Sequence, residues 1–150
     1  MEPIINFKNV TKIYSGNSLP SLSNISFEIQ EGEFFCIVGP SGCGKSTILK
    51  IIASLETPTL GEIKKPTEVA MVFQSGALLP WLNVYENVAF GLRAKELPEK
   101  KILEECAKFI EMVGLEEYLE TFPRDLSGGQ SQLVGLARAL AVDPKVLLLD

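Results

Sequence analysis

At 150 residues, 46% of them apolar, the chain has the length of one domain and enough apolar content for a packed core. A net charge of −5 with no histidine disfavours a nucleic-acid-binding surface. No apolar run approaches the ~20 residues that span a bilayer, Met1-Glu2-Pro3 lacks the basic and apolar regions of a signal peptide, and three scattered cysteines (Cys36, Cys43, Cys106) suit neither a metal site nor a disulfide framework, so a reducing cytosol is expected.

In chain order, residues 4–10, 25–29 and 34–38 read as β-strands. The third is almost wholly apolar, which predicts burial on both faces and places Cys36 in the core. A helix is predicted from about Lys45 to Leu55, closed by Thr57-Pro58. Two further strands follow at 61–64 and 69–73, with Lys64 and Lys65 on a solvated hairpin edge. Beyond Gln74 the spacing becomes helical. Ile102, Cys106, Phe109, Ile110 and Val113 recur at helical intervals over 99–113, with Cys106 on the apolar face. A second helix is predicted over 128–141, ended by Asp143-Pro144, before a buried strand at 146–149. Strands first, then helices, then a strand again make an α/β layout, with a core over about 1–74 and 142–150 and a helical lobe over about 75–141.

Two segments carry chemistry. Gly39-Pro40-Ser41-Gly42-Cys43-Gly44-Lys45-Ser46-Thr47 fills every position of G-x-x-x-x-G-K-[ST], after an apolar run and at a helix start. Glycines allow positive φ and bring backbone N–H groups close to phosphate oxygens. The nest and the helix N-terminus both favour an anion. Lys45 adds a charge for the β- and γ-phosphates, and Ser46 a hydroxyl for Mg²⁺. Cys43 needs to supply only backbone. The second segment is Leu126-Ser127-Gly128-Gly129-Gln130. Ser127 and Gln130 have capping-box spacing, and Gly128-Gly129 puts bare N–H groups at a second anion-ready helix start.

A phosphate loop followed by this pentapeptide resembles the ATP-binding cassette (ABC) family. The resemblance implies a P-loop NTPase core with an antiparallel β subdomain and an inserted α-helical signature subdomain, here C-terminally truncated. It implies ATP and Mg²⁺ as ligands and a homodimer in which each signature covers the γ-phosphate held by the other subunit's loop. Tyr14 falls where an aromatic ring stacks on adenine. Lys45 and Gln74 take the catalytic roles, Gln74 touching Mg²⁺ and the attacking water. Asp150, at the end of the 146–149 strand, holds Mg²⁺ with Ser46. Arg138 also fits the family pattern, with a solvated or ion-paired role expected. Ser131 and Leu133 depart from it, since basic residues usually stand there.

The stretch Leu78-Leu79-Pro80-Trp81-Leu82-Asn83-Val84-Tyr85-Glu86-Asn87-Val88 is similar to bacterial importers of nitrate, sulfonates and taurine, where it lies near the surface that docks the permease. Trp81 serves equally as ordinary lobe packing. The implied protein is the ATP-hydrolysing subunit of an importer, peripheral on the cytoplasmic face of the cell membrane, with a separate permease and a solute-binding protein as partners. The family's catalytic glutamate and switch histidine lie past the Asp150 position. Slow turnover by these 150 residues and a partly uncovered core are therefore expected, and a module that binds ATP without significant turnover is the alternative.

Overall fold

The protein is described by a computed structural model covering residues 2–16 and 18–150. Two compact units divide the chain, Met1–Val69 and Ala70–Asp150.

In the first unit, β1 (Ile5–Lys12) runs antiparallel between β2 (Leu22–Ile29) and β3 (Leu60–Lys64). Alternation along β1, stepped by one residue at the irregularity between Phe7 and Val10, turns Ile5, Phe7, Val10 and Lys12 inward. Phe7 stands opposite Phe27 on β2 and Ile63 on β3. Its ring stacks on Phe27 at 4.5 Å between centroids, and Phe27 stacks on Phe35 at 5.3 Å. Helix α1 (Lys45–Ile52) buries Ile48, Ile51 and Ile52, one stripe at i, i+3 and i+4.

The buried strand expected at 34–38 is absent. These residues pair with no strand among those described, Phe34 and Val38 are 87% and 91% exposed, and Cys36 is exposed rather than buried. An all-apolar run becomes a two-sided strand only when neighbours complete its hydrogen-bond ladder and cover its faces. The β2-β1-β3 sheet gives it no such neighbour; Ile37 is partly buried, and Phe35, though exposed, stacks on Phe27.

The second unit packs three helices, α2 (Val84–Arg93), α3 (Glu99–Met112) and α4 (Gly128–Ala141), around Val84, Val88, Leu92, Ile102, Ile110 and Val134. Helix α2 is not among the helices predicted from sequence, although its signal is local. Asn83 accepts the Glu86 N–H at 2.8 Å while the Glu86 carboxylate accepts the Asn83 N–H at 3.1 Å, a complete capping box. Strands β4 (Val69–Val72) and β5 (Val146–Leu149) form a two-stranded sheet. The Asp150 N–H donates to the Val72 carbonyl at 3.1 Å, so the carboxyl ends of the two strands lie side by side.

Cys106 is fully buried on α3, as its spacing predicts. Burial pushes its thiol up to about 11. The folded state thus holds this proton to higher pH than the unfolded chain does. The resulting stability is present below the ordinary thiol value of 9.0 and is lost as pH rises through about 11. Near neutral pH, iodoacetamide should label the exposed Cys36 and Cys43 and spare Cys106 until the protein unfolds. Peptide mass spectrometry reads this directly. Prompt Cys106 labelling in the folded protein would contradict its burial.

Candidate nucleotide site

The phosphate loop is built by its own backbone. Gly44, the N-cap of α1, sits at φ +99°, a left-handed conformation, and brings no side chain to cap the first turn. The N–H groups of that turn are left for an anion. A Cβ on Gly44 would lie 2.5 Å from the Ser21 carbonyl oxygen and 2.6 Å from Leu22 Cδ2, so alanine is excluded by space as well as by φ. Lys45 folds back across the loop, its ammonium donating to the carbonyls of Gly39 at 2.9 Å and Pro40 at 2.8 Å. The charge is thereby held within the loop that would receive phosphate. The exposed Cys43 sulfur lies 3.9 Å from the same nitrogen.

Tyr14 is brought to this loop. Its hydroxyl lies 3.5 Å from that of Thr47, a buried residue in the first turn of α1. The Lys12 ammonium stands 4.9 Å from the centre of its ring and is fixed by Glu56 at 2.7 Å and the Thr57 carbonyl at 2.9 Å. One ring face is thus engaged by a cation.

In the second unit, Ser127 caps α4. Its hydroxyl accepts the Gln130 N–H at 3.2 Å, and the Gln130 side-chain oxygen accepts the Ser127 N–H at 2.8 Å. The capping box is therefore real, and it coexists with Gly128 and Gly129, which are exposed with open space where side chains would stand. Gln74 follows β4 on an exposed turn and Asp150 follows β5, so the pairing of these strands brings both to one end of the sheet. Ser46, in the first turn of α1, offers a hydroxyl. Each of these groups, taken by itself, is a hard oxygen donor of the kind Mg²⁺ accepts.

Arg138 is only partly solvated and is not ion-paired among the described residues. It donates to the Gly76 carbonyl at 3.0 Å. Trp81 is 69% exposed, which removes it from lobe packing. Beside α2 and α3 lies a cavity of about 510 Å³ lined by Tyr85, Leu103, Ala107, Ile110, Leu119 and Glu120. The buried Tyr85 hydroxyl has no hydrogen-bond partner among the described residues.

The ABC transporter family model matches residues 22–150. This chain belongs to the ABC transporter family, as an ATP-binding domain. Among ABC relatives, an uncharacterized ABC transporter ATP-binding protein of Methanocaldococcus jannaschii is 44% identical over all of this chain and 60% of its own length. The sn-glycerol-3-phosphate import ATP-binding protein UgpC of Bordetella avium is 43% identical over 97% of this chain and 43% of its own. The spermidine/putrescine import ATP-binding protein PotA of Mesoplasma florum is 45% identical over 98% and 45%. The chain therefore spans about half the length of the curated relatives it matches.

Of solved ABC structures, a dimeric ATP-binding cassette in a post-hydrolysis state with ADP and phosphate aligns at a TM-score of 0.91 and 36% identity, over 97% of this chain and 73% of that one. The cbiO1 protein of Clostridium perfringens, part of the ABC transporter complex cbiONQ, aligns at 0.84 and 29%, over 100% and 66%. The P-loop α/β fold inferred from the motifs is thus the fold of this ABC domain. No helix among the described residues is long and apolar enough to cross a membrane.

Proposed function

We propose that this ABC domain binds and hydrolyses Mg-ATP as one half of a pair, powering import of a small solute through a separate permease. The observation that carries this reading is the Lys45 ammonium held across the phosphate loop by the Gly39 and Pro40 carbonyls. In this reading residues 39–47 hold the phosphates, Tyr14 stacks on adenine, and Ser46, Gln74 and Asp150 offer oxygens to Mg²⁺. Leu126, Ser127, Gly128, Gly129 and Gln130 close over the partner's nucleotide. The dimeric, ADP-bound cassette supports the pairing, and the two import proteins support the direction of transport.

The permease would dock beside the exposed Trp81 and the cavity at Tyr85, on the cytoplasmic face of the membrane. An incoming side chain could there satisfy the Tyr85 hydroxyl. The 78–88 loop favours nitrate, a sulfonate or taurine as the solute. Relatives named for an anionic phosphate ester and for cationic polyamines match this chain at 43% and 45%. Uptake assays with the permease and its solute-binding protein decide among these solutes.

Gly129→Asp separates binding from pairing. The position is exposed and roomy, so the fold is retained, but the new carboxylate opposes a partner's γ-phosphate. Light scattering should show Mg-ATP-dependent association of the parent. The variant should bind ATP normally and remain unpaired. A parent that stays monomeric at saturating Mg-ATP, or a variant that pairs as well, would refute the composite site.

A further inference from the structure

We infer that Gln132 and Arg138 are positioning residues for Gln74: they fasten the loop after β4 to helix α4, so that Gln74 and the Ser127 end of that helix move as one body. The inference rests on the role proposed above for Gln74. Both contacts are made to loop backbone. The Gln132 side-chain nitrogen donates to the Gln74 carbonyl at 2.9 Å, and the Arg138 guanidinium donates to the Gly76 carbonyl at 3.0 Å. Residues 131, 135 and 138 lie along one face of the helix, and Gln132 borders it.

Between the two hydrogen bonds, backbone meets backbone. A Cβ on Gly76, which sits at φ +71°, would lie 2.6 Å from the Ser131 carbonyl oxygen. A Cβ on Gly135 would lie 3.0 Å from the Gly76 oxygen. Only a glycine on each side permits this approach.

Burial lowers the Arg138 pKa, the sign of a guanidinium held where solvent would suit it better. A residue serving only solubility would not be placed so. Farther along, Asn87 ties down the other end of the loop. It accepts the Leu79 N–H at 2.9 Å and donates to the carbonyls of Leu79 at 3.2 Å, Leu82 at 2.9 Å and Asn83 at 3.0 Å. The loop is thus strapped between α4 and α2, and only the backbone of Gln74 is used in the strap.

The test is amide hydrogen exchange with Gln132→Ala, at an exposed position that leaves the fold intact, and with Arg138→Met and Arg138→Lys. Exchange of the 75–79 amides should quicken about tenfold or more in Gln132→Ala and Arg138→Met while central α4 amides keep their protection. Lysine still donates to a single carbonyl, so Arg138→Lys should recover most of the protection. In Mg-ATP turnover, Gln132→Ala should lower kcat about tenfold at unchanged KM. Unchanged exchange at 75–79 overturns the strap, and faster exchange with unaltered kcat overturns its positioning role. A parent that turns over no ATP counts against the proposed function and leaves exchange alone to decide the strap.

Discussion

Lys45→Ala is expected to weaken ATP binding by about 10- to 100-fold, the equivalent of one charge-assisted hydrogen bond of ~1.5–3 kcal/mol. The Gly39 and Pro40 carbonyls hold the ammonium within the loop that would receive phosphate. Little ordering cost then falls on binding. The two carbonyls lie in an exposed loop where water replaces the lost donors, so the melting temperature should hardly move. Affinity and stability should therefore separate. Calorimetric titration with Mg-ATP and a thermal melt on the same sample measure both. A variant that binds as tightly as the parent would sink the nucleotide assignment. Cys43 offers a cross-check, since its sulfur lies beside the same ammonium, and saturating ATP should slow its alkylation.

Asn87→Leu should be the most destabilising single change in the helical unit. The side chain is fully buried, and its amide bonds the Leu79 N–H and the Leu82 carbonyl. Leucine of similar volume fills the space but orphans the Leu79 N–H and the Leu82 carbonyl. The Asn83 carbonyl keeps its helical bond from the Asn87 N–H at 2.9 Å. Two orphaned, part-buried groups at ~1–3 kcal/mol each give a loss of about 2–6 kcal/mol. Urea unfolding followed through α2 and α3 measures it. A loss below about 1 kcal/mol would mean that water or a backbone shift meets these groups.

What the sequence disclosed, and what it withheld, follows from the range of each interaction. The turn carrying the phosphate-loop motif and the Ser127–Gln130 box are local features, each closed by residues at most six positions apart. Helix α2 carries an equally local signal in Asn83 and Glu86, an N-cap and its capping-box partner three residues on. The 34–38 run is a different case. Its composition describes the environment a strand would need, and composition does not supply the neighbours. The sequence predicts a solvated or ion-paired Arg138, because a sequence records carboxylates but not main-chain carbonyls brought near by folding. Its acceptor is 62 residues away and has no side chain to announce it.

The exposed indole of Trp81 gives this protein an optical property of its own. It is the sole tryptophan in the chain and stands mostly in solvent, at the edge of the helical unit. Its fluorescence should resemble that of free indole and change little when the chain melts, so emission would make a poor unfolding probe. The same insensitivity makes it a quiet baseline. Any surface that settles over this edge should move the emission to the blue and shield it from iodide quenching, reporting attachment of a partner without a label.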